Sequence, residues 1–403
     1  MKLELPFPGS SRRTILMPDW VDKKRVPSSG KRIPFLSFFA GAGFLDLGFE
    51  LESFEGIWHN EIDPWFVQAF EFGMSGALEK EKKVESDVSI LDVGPNEILR
   101  KAFGERRTGR GRMGESTLFG IIGGPPCPDF SIGGKNKGER GDNGRLTQVY
   151  VDRICELQPT FFILENVKGL FKTAKHKEFL ARAIAQLEGT GGFRVDVSVL
   201  NALDVGVAQD RQRVFVVGVM DAWLRKRGIR LKPGSRGWYP WPVDERYFGA
   251  KARYPWPTVD PFGRNPPMPA GIPVELTVSS AIGNPSEVAK LVNGDEGFVA
   301  YSGKFLEIDE GDTSRKSFKR LHRWRFSPTA AYGNNEVHLH PFLPRRLTVR
   351  EAMRIQSAPD SYKLPAGMPL SKKFKTIGNA VPVRLARAVA ASMSSYLEMA
   401  NNG

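Results

Sequence analysis

Short apolar runs, each closed by glycine, proline or an acidic residue, recur through the first 220 positions and set the expected architecture. Phe35-Leu36-Ser37-Phe38-Phe39, Leu118-Phe119-Gly120-Ile121-Ile122 and Phe161-Phe162-Ile163-Leu164 are of strand length and apolar nearly throughout, the pattern of buried strands. Gly56 to Asp63 reads as a further strand ending in acids, Val195, Val197 and Val199 alternate along 193–200, and Val214 to Val219 is another strand. Helical spacing fills the intervals at 45–51, 146–157 and 177–187. Strands alternating with helices predict an α/β sheet. The texture changes at Asp221, and 221–344 is rich in Pro, Gly, aromatic and basic residues with few periodic runs. Regularity returns at Arg345, where Thr348 is placed to cap a helix over 349–356 and 383–397 forms an amphipathic helix. The expected divisions are 1–32 as a basic arm, 33–220 and 345–403 as the catalytic and cofactor-binding domain, and 221–344 as a smaller loop-rich unit.

Candidate chemistry collects where the strands end, the usual place for ligands in open α/β sheets. Ala40-Gly41-Ala42-Gly43 follows the first strand and precedes a helix, an arrangement in which free backbone N–H groups meet a nucleotide. Asp46 stands where the dinucleotide fingerprint has its third glycine, which argues against a nicotinamide cofactor. Glu61, with Asp63 as the alternative, is placed to accept hydrogen bonds from ribose hydroxyls, and Glu85-Ser86-Asp87-Val88 offers a third strand-end acid. After the 118–122 strand, Gly123-Gly124-Pro125-Pro126-Cys127-Pro128 holds a thiol on a stiff loop. Cys127 is either a nucleophile or a small buried residue, and its own neighbours do not decide between them. Glu165 ends the 161–164 strand, where it can share a pocket with Cys127, and partial desolvation would raise its pKa toward proton donation. Arg211 and Arg213 lie on one face of an extended segment and suit an anion or a base edge. A Gly378-Asn379 turn before the last helix is a second place for backbone donors.

Composition narrows the picture further. Hydrophobic content of 41% and charged content of 26% suit a globular chain, and no apolar run approaches a membrane span or a secretory core. Two cysteines make no disulfide framework, so a reducing cytoplasmic setting is expected. Cys155 falls on an apolar helical face and reads as core. The net charge of +13 points to a polyanionic partner. Within the basic stretches, 1–32 is a solvated tail or a nucleic-acid contact, 100–112 a surface excursion, and Arg315 to Arg325 a phosphate-contacting surface. The polar segment 132–145 is expected to be a loop that closes over substrate. Tyr239-Pro240-Trp241-Pro242 and Tyr254-Pro255-Trp256-Pro257 are expected to build small cores rather than stack bases. His338 and His340 share a strand face without further ligands, and no metal is expected.

In order along the chain stand Phe39-Ala40-Gly41-Ala42-Gly43, Pro125-Pro126-Cys127, Glu165-Asn166-Val167, Gln209-x-Arg211-x-Arg213, Arg346-Leu347-Thr348-Val349-Arg350-Glu351 and Gly378-Asn379-Ala380-Val381-Pro382. This series resembles the cytosine-C5 DNA methyltransferase family from residue 33 onward. The resemblance implies a Rossmann-like, S-adenosylmethionine-dependent sheet with helices on both faces, and a target-recognition domain at 221–344. It implies that Phe39, Gly41, Gly43, Glu61, Ile62, Asp87, Val88, Pro125, Asn379 and Val381 line the donor pocket. Cys127, Glu165, Arg211 and Arg213 become the catalytic set, acting on a cytosine flipped out of duplex DNA. The implied protein is a monomer of the restriction-modification kind, with a cognate endonuclease acting separately. A tRNA methyltransferase and a catalytically silent DNA-binding regulator are the alternatives. Two positions depart from the family pattern. Phe44 replaces a common glycine and is expected to narrow the donor loop, and Pro128-Asp129 replaces Gln-Gly after the cysteine.

Overall fold

The computed structural model describes residues 15–16, 30–86, 88–104, 117–126, 142–171, 173–299, 303–315, 317–330, 332 and 337–402. Asp87, the 105–116 excursion, Cys127 and the rest of 127–141 lie outside these residues.

Among the described residues, ten short strands occur in chain order: β1 Ile15–Leu16, β2 Ile33–Phe38, β3 Phe54–Asn60, β4 Gly120–Gly123, β5 Phe161–Val167, β6 Phe193–Asn201, β7 Gln212–Met220, β8 Pro242–Val243, β9 Phe318–Arg320 and β10 Val337–Leu339. Six of them form the central sheet in the order β3-β2-β4-β5-β7-β6. β3, β2, β4 and β5 run parallel, whereas β7 is antiparallel to both β5 and β6. Consecutive residues of β4 and the first four of β5 are all buried, so both faces of the sheet are covered. Helix Phe44–Glu50 is buried along its whole length. It lies so close to helix Val383–Asn402 that a Cβ on Gly48 would overlap Ala386. Helices Asp142–Leu157 and Ala174–Glu188 are joined by Gln148, Asp152 and Gln186, whose side chains bond to one another at 2.8–2.9 Å.

The order of strands places the site. The chain leaves β2 to build β3 on one side and then crosses back to build β4 on the other. Such a switch point opens a crevice at the strands' C-terminal ends. Phe38 is in register with Gly123, and Gly123 with Leu164. The 39–43 turn, the 124–126 segment and Glu165 therefore emerge side by side.

Several sequence expectations are corrected here. Glu85 makes a single bridge to Asn60 rather than a third strand, and Asn60 Nδ2 donates to the Glu85 and Val88 carbonyls. As expected, β5 ends in Glu165-Asn166-Val167, and Glu165 stands opposite Phe215 of β7 near that end. Helix Asp142–Leu157 begins where a polar loop was expected, and Gly378-Asn379 closes helix Leu370–Asn379 rather than forming a free turn. Within the N-terminal arm, Ile15–Leu16 pairs in parallel with Pro242–Val243. The densest basic stretch is largely internal. Arg320 is fully buried and donates to the carbonyls of Phe305, Ile308, His340 and Leu343, while Arg323 pairs with buried Glu310. Carbonyls and one carboxylate have taken the place expected for phosphates.

The described part of the 221–344 segment contributes both to the main core and to smaller apolar clusters. Trp223, Leu224, Tyr239 and Trp241 belong to the main core, where Tyr239 packs against Tyr396 of the last helix. Tyr247, Ala250, Leu276 and Phe326 form a small cluster with Leu203, flanked by Tyr254 and Trp256. Both Tyr-Pro-Trp-Pro repeats thus contribute to cores. Among the described residues, no helix is long and apolar enough to cross a membrane.

Candidate active site

The first wall of the crevice is the 39–43 turn. Phe39, Gly41 and Gly43 all have positive φ (54°, 57° and 77°). Gly43 also packs where a Cβ would lie 2.7 Å from the Phe70 ring, so both backbone shape and space demand glycine there. Above Gly41 a Cβ would meet nothing within 4 Å. Phe39 is not a glycine, and a left-handed non-glycine residue is the sort of local strain that functional sites retain. Glu61 ties the turn to the end of β3. One carboxylate oxygen accepts from the N–H of Gly41 at 2.9 Å, and the other from the N–H groups of Ile62 and Asp63. Burial pushes the Glu61 carboxyl above its ordinary value against the pull of those three donors. Asp63, the alternative candidate, instead caps helix Pro64–Leu78 through the Trp65 N–H.

Open space over Gly41, the apolar side chain of Ile62 at 63% exposure and the Glu61 carboxylate between them fit a nucleoside with ribose hydroxyls. Val88 and Pro125 lie near the same strand ends, half-buried and buried respectively. Val381 is buried and Asn379 exposed at the end of helix Leu370–Asn379, which packs on helix Pro64–Leu78. Phe44 does not narrow the turn. It is 2% exposed and directed into an apolar cluster, with its ring edge-on to Tyr362 at 4.9 Å.

The second wall is built from β4, β5 and β7. A Cβ on Gly124 would lie 2.7 Å from a Glu165 carboxylate oxygen, so the segment leading to Cys127 passes directly over that carboxyl. Arg213 Nε stands 2.9 Å from Glu165 Oε1. Burial raises the Glu165 pKa, and the charges of Arg213 and then Arg211 pull it back only in part. Cys127 itself lies outside the described residues. The other thiol, Cys155, is pushed up to about 11, chiefly by burial, and makes a poor nucleophile.

Arg211 occupies a different position from the base-facing one expected. It is fully buried, with Nη1 donating to the Ala330 carbonyl at 2.8 Å and Nη2 to the Gly378 carbonyl at 2.7 Å. The reason is local: Gln209, two residues earlier, accepts from the Ala330 N–H and donates to Ile355 O and to Gln356, and Gln356 reaches Ile377 O. These side chains stitch 330, 355–356 and 377–378 to the start of β7. The sequence alone showed Gln209 only as part of the arginine motif and Gln356 only as a helix end; the signal available for Gln209 was its place beside a buried strand, where a polar residue needs partners.

His338 and His340 are each lowered to about 3 by burial and are neutral. His340 Nδ1 accepts from the Phe342 and Leu343 N–H groups, and His338 meets the Tyr332 hydroxyl. Among the described residues, no cluster of three His, Cys, Asp or Glu side chains is arranged to hold a metal ion.

A mixed α/β sheet with a switch-point crevice, a glycine turn tied down by Glu61 and an acid–arginine pair beside it defines the class of nucleotide-binding α/β proteins. Comparison with known proteins supplies the family. The family model of C-5 cytosine-specific DNA methylases matches residues 33–225 and 280–395. The chain is 43% identical over 375 residues to the Type II methyltransferase M.NmeDI of Neisseria meningitidis serogroup C, covering 91% of this chain and 85% of that one. It is 30% identical over 397 residues to M.XorII of Xanthomonas oryzae, covering 90% and 84%. Among solved structures, the Entamoeba histolytica methyltransferase EhMeth superposes with a TM-score of 0.56 over 91% of this chain and 99% of its own, at 13% identity, a likeness of fold. The chain belongs to the C-5 cytosine-specific DNA methylases: it is a DNA (cytosine-5)-methyltransferase with S-adenosylmethionine as methyl donor.

Proposed function

We propose that the chain methylates a cytosine flipped out of a specific duplex sequence, with Cys127 as nucleophile, Glu165 as proton donor and Arg213 at the base edge. The observation that carries this is the approach of Gly124 to the Glu165 carboxyl, with Arg213 on its other side. Cys127 is three residues beyond Gly124, so chain length alone keeps it within about 10 Å of that glycine. Attack of the Cys127 thiolate on C6 would form a C–S bond at the expense of the C5=C6 π bond and make C5 nucleophilic; once C5 carries the methyl group, loss of its proton expels the thiolate, breaks the C–S bond and restores the ring. Glu165, whose pKa burial raises, is the acid that gives its proton to N3 as charge develops there. Arg213 then faces a carboxylate and can hold both it and the O2 edge of the base. Arg211 acts at one remove, as a brace that fixes the start of β7. Bound S-adenosylmethionine supplies an electrophilic methyl group, and Phe39, Gly41, Gly43, Glu61, Ile62, Asp87, Val88, Pro125, Asn379 and Val381 are the residues assigned to hold it.

The 221–344 region is assigned to target recognition, because inside a duplex the target carbon is out of reach until the base is extruded. The Type II relatives support a place in a restriction-modification system; a separate cognate endonuclease, a monomeric state and action on cytoplasmic DNA belong to the same proposal. The test is incubation with labelled donor and duplex DNA of mixed sequence, followed by bisulfite sequencing. Wild-type protein yields 5-methylcytosine in one sequence context, and Cys127→Ala yields none. Turnover by Cys127→Ala at the wild-type rate would refute the covalent route, and preferential methylation of tRNA would refute the substrate.

A further inference from the structure

Ala42 sits between Gly41 and Gly43, both left-handed, in the turn assigned above to the methyl donor. The peptide that joins Ala42 to left-handed Gly43 borders a residue with wide backbone freedom, so its orientation depends on what holds its two ends. The Ala42–Gly43 peptide is held at both. Its N–H, on Gly43, donates to Ala40 O at 2.8 Å, and its carbonyl accepts from the Tyr362 hydroxyl at 2.6 Å. The same hydroxyl lies 2.9 Å from Ala69 O, so one phenol joins the turn to helix Pro64–Leu78.

The phenol is placed by residues remote from the turn. Tyr362 is fully buried, its ring fills the space left by Gly73, and a Cβ on Gly73 would overlap it. The ring of Phe44 stands edge-on to it. Its backbone carbonyl accepts from buried Arg350, which also grips Val292 O, and two residues on Leu364 exchanges both hydrogen bonds with the Asn293 side chain at 2.9 and 3.0 Å. Burial, with the nearby Asp46 carboxylate, drives the phenol's pKa far upward, so it donates at every working pH.

We infer that Tyr362 is a positioning residue for the methyl donor: its hydroxyl fixes the Ala42 carbonyl, and with it the donor-binding shape of the 40–43 turn. This rests on the donor-pocket reading of that turn. Phenylalanine at 362 keeps the ring and its packing and removes only the oxygen, leaving the Ala42 carbonyl without its donor.

The probe is S-adenosylhomocysteine, titrated calorimetrically into wild-type protein, Tyr362→Phe, Gly41→Ala and Phe374→Leu, alongside steady-state kinetics. Tyr362→Phe should bind about tenfold more weakly and raise the donor KM by the same factor, with kcat at saturating donor and the KM for DNA within about twofold of wild type. Phe374→Leu thins the same apolar cluster without touching the turn and should lower thermal stability while leaving donor affinity unchanged. Gly41→Ala puts a methyl group into the open space and should abolish tight binding. Wild-type affinity in Tyr362→Phe with loss in Gly41→Ala overturns the inference alone. Wild-type affinity in Gly41→Ala overturns the pocket reading beneath it. An equal loss in Phe374→Leu and Tyr362→Phe also overturns the inference, because general loosening would then explain both.

Discussion

Glu61 and Glu165 are two half-buried carboxyls at the same end of one sheet, and they are held in opposite ways. Glu61 is surrounded by backbone: three N–H groups point at its two oxygens. Glu165 is surrounded by charge, with Arg213 at 2.9 Å and the field of buried Arg211 behind it. Burial raises both pKa values, yet the consequences differ. Backbone donors favour ionised Glu61 and cannot leave without unmaking the turn, so that side is prebuilt. A guanidinium can turn toward a new partner when its carboxyl gains or loses a proton, so the base side is built for exchange. On the proposed reading, neutral architecture holds the donor and a charged pair serves the chemistry.

The comparison breaks most sharply at Glu165. Glu165→Gln keeps size and one acceptor but cannot deliver a proton as an acid, so single-turnover methyl transfer should slow by about 10²- to 10⁴-fold with duplex affinity retained. Wild-type turnover in that variant would remove the carboxyl from the acid role. Arg213→Met sharpens the contrast by pH. The guanidinium lowers the Glu165 pKa, so its loss raises that pKa further and keeps the acid protonated to higher pH. The alkaline limb of the kcat profile should therefore move upward, on a reduced maximum, and a downward move would contradict the assignment. The smallest effect belongs to Glu61→Gln. An amide turned toward N–H groups loses an acceptor, and the donor KM should rise about tenfold with kcat almost unchanged. A fall in kcat as large as that of Glu165→Gln would erase the distinction between the two sides.

What sequence could say about this site followed the reach of its physics. Strand runs and the Thr348 cap are local, and the structure keeps them, Thr348 and Glu351 closing a reciprocal capping box. Helix Leu370–Asn379 went unpredicted, although Leu370, Phe374 and Ile377 carry helical spacing, because the Gly378-Asn379 pair at its end was read as a turn. The antiparallel insertion of β7 left no mark, because a buried strand is apolar in either direction. Arg211 and Arg320 were misjudged for one reason: the carbonyls that enclose them come from far along the chain, and side-chain type does not tell a caged guanidinium from a free one. The setting of Phe44 depended likewise on Tyr362, more than 300 residues away.

Those enclosed guanidiniums bear on how the protein meets a polyanion. Arg211, Arg320 and Arg350 count in full toward the +13 of the composition, yet their side chains are wholly interior. Ions condensed on a double helix are displaced only by cations that reach its backbone. The ionic-strength dependence of association is thus governed by the outer lysines and arginines, and a tally of basic letters overstates the number of ions released.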